Sequence, residues 1–520
     1  MHESFVEFKR AFDSIPREKL FQKIEKAGIN GKFLSVLSSM YLNDCSAIKQ
    51  NGYVTETFNC RVGVKQGCML SPTLFNLFLS DLPDDLNKAP VKEDISIKGV
   101  KMRGLLYADD LAIVAKTAND LQLLLRHLEQ YCSVNDLAVN INKTKVLIFN
   151  NNGHRMNKHV FLYQEERVEN VKMYKYLGLT FSAFGNFSLA KQELKKIALK
   201  ALFKLKKEMG SFFRSKVKVT MQLFDSLVKP ILLYGSEIWG IENDEPDARN
   251  PIEAVHIKFC KLLLGTSRSS TNIACRGELG RFPLKLESKY RSIKYWTKLV
   301  AKGTPDLTYL FYNEIVEFDK KELWSFKIKN SLQKIGFGNI WAQQKNLGCI
   351  QKVQKDVKQR LQDIEFQKWL SDMFNDSGRS GNQSNKMRVY RTFKTEYKYE
   401  SYLDNVTIVK HRIDFTRLRI SDHNLEIEKG RYRKPYVKPQ DRICLMCKRE
   451  MEDEIHFLLR CPRYESIRQN FYQNIKSVGK VNHLESEKAV FKNLMSPTNE
   501  IAPKVAKFIS ECNKVRNTPI

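Results

Sequence analysis

Two groups of side chains in this sequence carry chemistry by type and spacing. The first is acidic. Asp109 and Asp110 stand side by side between the apolar runs 104–107 and 111–115, and Glu7 lies in the short run Phe5-Val6-Glu7-Phe8. Three carboxylates brought together offer only hard oxygen donors, the set that Mg²⁺ prefers. Two such ions about 3.5–4 Å apart can activate a hydroxyl and hold a triphosphate in line with it. Taken alone, an Asp-Asp pair between apolar runs is also an ordinary polar turn. The second group is Cys444-x2-Cys447-x8-His456-x4-Cys461. Three thiolates and one imidazole complete a tetrahedral zinc set, closed and therefore structural. Buried cysteines beside a core histidine are the plainer alternative.

The elements that must position these groups can be read from periodicity. The run 5–8 reads as a strand, and 19–27 and 33–42 read as helices. Ser71-Pro72 reads as a helix start, with Ser as cap and Pro in the first turn. The helix that follows, 73–82, is apolar nearly all round and is expected to be buried. The two apolar runs about Asp109-Asp110 predict a hairpin with the acids at its tip. Thr117 with Asp120 resembles a capping box, and Leu121, Leu124, Leu125, Leu128 and Tyr131 form one stripe at helical spacing. Residues 5–150 thus read as a mixed α/β unit, and 189–430 as mostly helical. The stretch 374–386, rich in Asn, Ser and Gly, is the expected linker.

Composition narrows the partners. The 520 residues carry 87 Lys and Arg against 58 Asp and Glu, a net charge of +29. A polyanion is the natural counterpart of such a chain, because each neutralised phosphate releases counterions. A hydrophobic content of 42% is ample for packed cores and excludes wholesale disorder. With no long uncharged apolar span and no signal-like start, no membrane partner is expected. The eleven cysteines are odd in number and scattered, which points to a reducing compartment, nucleus or cytoplasm. Lys429 to Lys438 interleaves cations with aromatics, a composition suited to phosphate contact and base stacking on single-stranded RNA or, equally, to a plain surface strip.

The motifs, in order, resemble a known family. Phe5-Val6-Glu7-Phe8-Lys9-Arg10-Ala11-Phe12-Asp13-Ser14 resembles motif A of the reverse transcriptases of non-LTR (LINE-type) retrotransposons. Val64-Lys65-Gln66-Gly67-Cys68-Met69-Leu70-Ser71-Pro72 is similar to motif B, Tyr107-Ala108-Asp109-Asp110 to motif C, and Asn142-Lys143-Thr144-Lys145 to motif D. Tyr174-Lys175-Tyr176-Leu177-Gly178 resembles motif E, the primer grip, and the Cys444–Cys461 spacing resembles the family's C-terminal cysteine–histidine motif.

The resemblance implies an α+β fold: an antiparallel palm sheet with helices over 1–186 and a helical thumb over 187–302. A helical connecting region over 303–430, a zinc-type module over 431–475 and a tail over 476–520 would follow. It implies RNA-directed DNA polymerase activity on an RNA template and DNA primer with deoxynucleoside triphosphates, two Mg²⁺ and one structural Zn²⁺. Glu7, Asp109 and Asp110 would be the catalytic metal ligands. Phe12, Gln66, Gly67 and Lys143 would meet the nucleotide, with Phe12 excluding a 2′-hydroxyl and Lys143 assisting the pyrophosphate. Tyr176, Leu177 and Gly178 would grip the primer.

The chain departs from the pattern at Glu7, where the family has Asp; an extra methylene moves the carboxylate by about a bond length, and shifts near 1 Å can cost on the order of 10²-fold in rate. Motif A stands at the very start, so a fingers segment and an endonuclease are expected to lie outside this sequence. The alternatives are an inactive nucleic-acid-binding remnant, a group II intron maturase-like protein and a zinc-dependent transcription factor.

Overall fold

The computed structural model describes all residues except 43, 150–158, 243–244, 248, 376–385, 476–485 and 519–520. The expected linker therefore lies almost wholly outside the described residues. The chain divides into two compact units, Met1–Ala190 with Thr304–Phe318, and Lys191–Gly303 with Asp319–Ile520.

The first unit is built on a six-stranded sheet. Its strands are β1 (His2–Glu7), β2 (Gly104–Tyr107), β3 (Asp110–Ala115), β4 (Lys145–Ile148), β5 (Phe161–Tyr163) and β6 (Glu166–Val171), in the spatial order β5-β6-β4-β1-β3-β2. β1 pairs antiparallel with both β3 and β4, so the strand that opens the sequence is central. Side chains alternate across a strand. Val6, Leu111, Ile113 and Val146 therefore face one core, packed beneath α1 (Arg17–Lys26), α3 (Ser71–Phe78) and α5 (Ala118–Val134). Phe5, Ala112 and Leu147 face the other side. There a second hairpin, β7 (Met173–Tyr176) with β8 (Leu179–Ser182), lays its aromatics on Phe5, and Tyr174 stacks on that ring at 4.4 Å.

The helical signals are realised with two differences. The Leu121–Tyr131 stripe of α5 is buried throughout, and the Thr117 hydroxyl oxygen accepts the Asp120 N–H as an N-cap. Ser71 is not a cap. Leu70 before it is already helical, and the Ser71 hydroxyl instead donates to the Lys65 carbonyl at 2.6 Å. The apolar run 73–82 does not form one buried helix: α3 stops at Phe78, a second helix α4 (Leu82–Leu86) starts around Pro83, and Thr73 and Asn76 lie exposed. Four polar positions, Thr73, Asn76, Ser80 and Asp81, and Pro83 break what total apolar content had joined.

The second unit is helical. α6 (Ser188–Met209) buries the stripe Leu194, Ala198, Leu202 and Leu205 and leaves Lys196, Lys200, Lys204 and Lys207 exposed, as a 3.6-residue period requires. Further along are α7 (Pro251–Leu264), α8 (Asn272–Leu279), α9 (Leu284–Lys302) and α10 (Ile350–Phe374). The C-terminal part brings α11 (Val409–Arg419), α12 (Glu465–Ile475), α13 (Glu487–Met495) and α14 (Ala502–Asn517), and α14 packs along both α11 and α12. Gly240 fits only as glycine, since a Cβ there would meet the Ser288 carbonyl oxygen of α9 at 2.3 Å. No described helix is long and apolar enough to cross a membrane.

Candidate functional site

In the register of β1 with β3, Glu7 stands directly opposite Asp110, and Tyr107 opposite Asp110 closes the β2–β3 hairpin. Opposed residues of an antiparallel pair share a face. The Glu7 and Asp110 carboxylates thus rise from the Phe5 face, with Asp109 beside them in the turn. Ala108 makes that turn at φ +53°, a left-handed conformation that costs a side-chain-bearing residue on the order of 1 kcal/mol. Burial, then the charges of Asp109 and Glu7, lift the Asp110 carboxyl above its usual range. The sequence-predicted acids are brought together.

A cation stands beside them. Lys143 donates to Glu7 Oε1, and that bond holds the Lys143 ammonium above its ordinary pKa. Lys143 was expected at a leaving group; here it pairs with the carboxylate that departs from the family pattern. The Glu7 N–H donates to Thr144 Oγ1 at 3.4 Å, so the motif D turn touches Glu7 twice. On the same face, the Tyr176 hydroxyl reaches the Asp110 carbonyl at 3.5 Å; burial and then Asp110 push it up to about 12. Leu177 (φ +46°) and Gly178 (φ +81°) form the tight turn between β7 and β8.

The Phe12 ring stacks on Phe75 of α3 at 4.6 Å, which fixes it beside the sheet end. The Gln66 amide donates to Asp13 Oδ1 at 2.8 Å. Gly67 is exposed, with nothing within 4 Å of where a Cβ would stand; its φ of +83° is what calls for glycine. The close-packed glycine of this loop is Gly63, where a Cβ would meet the Asp13 carbonyl at 2.7 Å. Arg17 is a residue the sequence reading missed. It donates to the carbonyls of Gly63, Tyr41 and Cys60 and pairs with Asp44 at 2.7 Å, clamping the motif B loop to α1. An arginine two positions past Ser14-Ile15 gives no local signal of that role.

In the second unit, Cys444, Cys447, His456 and Cys461 come together with all their ligand atoms within 4.8 Å of one another. The Cys444 and Cys461 sulfurs are 4.0 Å apart, and Cys447 Sγ lies 3.4 Å from His456 Nε2. Those separations suit edges of a tetrahedron with metal bonds of about 2.0–2.3 Å. His456 turns its other nitrogen, Nδ1, to Glu450 at 3.3 Å, the carboxylate support usual behind a ligating imidazole. Arg468 donates to the Leu458 and Cys461 carbonyls at 2.9 and 2.8 Å and so steadies the last ligand. Among the described residues, this is the one group of His, Cys, Asp or Glu side chains gathered to hold a metal ion. The palm acids do not form such a group, and Lys143 engages Glu7 there.

Residues 2–181 match the family model described as reverse transcriptase (RNA-dependent DNA polymerase). The chain is 26% identical over 187 residues to the retrovirus-related Pol polyprotein of the type-2 retrotransposable element R2DM of Drosophila melanogaster, covering 35% of this chain and 17% of that protein. It is 23% identical over 250 residues to the RNA-directed DNA polymerase of the mobile element jockey of the same fly, covering 46% of this chain and 26% of the relative. A third relative, the Pol polyprotein of a type-1 R2 element of Popillia japonica, is 26% identical over 186 residues, with 35% and 30% covered. The matched stretch thus spans less than a third of each of these relatives. By family, residues 2–181 are a reverse transcriptase domain, and this chain's homologues are the RNA-directed DNA polymerases of non-LTR retrotransposons, the R2 and jockey elements among them.

Proposed function

We propose that this chain extends a primer 3′-end on an RNA template. The observation that carries the reading is the opposition of Glu7 and Asp110 on one sheet face, with Asp109 at the hairpin tip and the Tyr176 hairpin on the same side. Glu7, Asp109 and Asp110 would hold two Mg²⁺, which supply charge neutralisation and a lowered pKa at the primer hydroxyl. The primer 3′-oxygen bonds to the α-phosphorus of a deoxynucleoside triphosphate, and the bond to pyrophosphate breaks. Phe12, fixed against Phe75, walls the sugar site, and the open surface at Gln66 and Gly67 receives the nucleotide. Tyr176, Leu177 and Gly178 hold the primer strand, and the lysines of α6 meet the template–primer backbone.

Cys444, Cys447, His456 and Cys461 would hold one structural zinc. Metal analysis of the purified chain is expected to give about one equivalent, and a chelator to melt the 444–461 segment while the palm sheet stays folded. Loss of zinc without any local unfolding would reject the structural role.

The polymerase reading is tested by primer extension on poly(rA)/oligo(dT), comparing the chain with its Glu7→Asp form. Incorporation by either form supports the reading. Absence of incorporation by both, with RNA binding retained, rejects it. The second reading, an inactive nucleic-acid-binding remnant, is favoured by one observation, the engagement of Glu7 by Lys143.

A further inference from the structure

We propose that Arg17 is a positioning residue for nucleotide selection: through the 60–66 loop it sets where Phe12, Gln66 and Gly67 stand against the incoming sugar and triphosphate. This role rests on the polymerase reading. Arg17 opens α1, where a cation opposes the helix dipole, so the helix alone does not account for it. Its planar guanidinium offers five N–H donors, and all five are met. Nε donates to the Gly63 carbonyl at 2.9 Å, and Nη1 to the Tyr41 and Cys60 carbonyls at 2.8 and 2.6 Å. Nη2 donates to Asp44 Oδ2 at 2.7 Å and to the Val62 carbonyl at 3.5 Å. The guanidinium also lies 4.9 Å from the centroid of the buried Tyr41 ring. Three of the five acceptors belong to residues 60, 62 and 63, so one rigid plane fixes the course of the loop.

The loop is tied on its other side to motif A. The Gly63 N–H donates to the Ile15 carbonyl at 2.9 Å, the Val64 N–H to the Phe12 carbonyl at 2.8 Å, and the Gln66 amide to Asp13 Oδ1 at 2.8 Å. Asp44 adds a further hold. Its other oxygen pairs with Lys65 at 3.1 Å, so Arg17 and Lys65 share one carboxylate that is itself only 10% exposed. A continuous set of hydrogen bonds therefore runs from Arg17 through Gly63 and Val64 to the backbone of Phe12, and through Asp44 and Lys65 to the residue before Gln66.

Lysine in place of Arg17 would keep the ion pair to Asp44 and lose the fork. An ammonium carries its three donors on one atom and cannot meet acceptors spread around a plane. The loop would then shift on the Arg17 side while still bonded to residues 12–15. Displacements near 1 Å at a reacting site cost on the order of 10²-fold in rate. A residue that only braces the fold lowers the amount of working protein and leaves nucleotide affinity and sugar choice as they were. A positioning residue changes those two properties in protein that is fully folded.

The test is steady-state extension of the full chain on poly(rA)/oligo(dT) with thymidine triphosphate and with 5-methyluridine triphosphate, which differs only by its 2′-hydroxyl. Arg17→Lys is expected to raise KM for thymidine triphosphate about 10-fold with kcat within about 2-fold, and to narrow the preference for the deoxynucleotide by about 10-fold. Asp44→Asn, which loosens Arg17 and Lys65 together, should move both quantities the same way by a smaller factor. Hydrogen exchange read by mass spectrometry needs no turnover: the peptide holding Gly63 and Val64 should exchange faster in both variants, with the β1 peptide unchanged. A folded Arg17→Lys chain with unaltered KM and sugar preference overturns the role, as does a fall in kcat alone or unaltered exchange at Gly63 and Val64. Loss of folding in both variants overturns it too, leaving Arg17 a brace of the fold. Any of these results beside an active parent leaves the polymerase reading standing; a parent that extends no primer loses that reading and this role with it.

Discussion

The three palm acids and the buried acids of the helical unit are treated in opposite ways. In the palm, three acids are set on one face with a single lysine beside them, and Asp110 is lifted by burial and by its neighbours' charges. In the helical unit, the buried acids each face a guanidinium: Glu253 with Arg276 at 2.7 Å, Glu278 with Arg419 at 2.8 Å, Glu454 with Arg388 at 2.6 Å. Burial resists ionisation there too, yet the arginines, with His256 in the first case, bring Glu253 down to about 2 and drive Glu454 well below the usual range. Compensated charge holds helices together. On the proposed reading, the uncompensated charge of the three palm acids is what two cations would neutralise.

The largest effect should come from removing a palm acid. Asp110→Asn is expected to lower primer extension on the order of 10³-fold or more, while urea unfolding shows the chain as stable as before or slightly more so, since one of three like charges is gone. A large loss of stability would break the contrast between the units. Glu278→Gln should do the reverse. Leaving buried Arg419 with Glu400, at 3.1 Å, as its remaining carboxylate is expected to cost up to roughly 3–5 kcal/mol in the same assay. The double change Glu278→Leu with Arg419→Met should recover much of that, as apolar replacements of buried pairs often do. Failure to recover would show that the pair positions Tyr402, whose hydroxyl also donates to Glu278.

Much of this contrast was legible in the sequence on the palm side. The acids sit in alternating or apolar runs, and the period of two places Glu7 and Asp110 on a known face once their strands pair. The α5 stripe and its Thr117 cap are equally local signals. What local pattern could not supply were partners far along the chain. Lys143 reaches Glu7 across 136 positions, Arg419 reaches Glu278 across 141, and Arg388 reaches Glu454 across 66. Gly63 announced nothing of its closeness to Asp13. Ser71 had the right type for a cap, but the Leu70 backbone had already entered the helix.

Two smaller effects would sharpen the comparison. Glu7→Asp shortens the carboxylate that Lys143 engages and is expected to raise extension, by up to about 10²-fold if misplacement is what limits it. A fall in rate, measured under saturating primer–template, would show that the longer side chain is the fitted one. Glu3, two residues before Phe5 on the same face, is an uncompensated acid of another kind, raised by burial to about 7. Its folded pKa exceeds the unfolded value, so its contribution is fully present below about pH 4.5 and is lost as pH rises through 7. Glu3→Gln should therefore match the parent in unfolding free energy at pH 4 and exceed it at pH 8 by roughly 2 kcal/mol. Parallel pH curves for the two chains would place Glu3 among the compensated acids.

The central place of β1 has a consequence for how this protein folds and breathes. Its six residues pair with β3 on one edge, and His2 to Phe5 pair with β4 on the other, both strands distant in sequence. Loops of that length must close before either edge forms, so the palm belongs to the slow, high-contact-order class of topologies. Once closed, the amides of β1 open only with the whole unit and should be among the last to exchange with deuterium. The strand that carries Glu7 is thus both the most delayed part of the palm to assemble and the most rigid part afterward, so a partly folded palm does not present the three acids together.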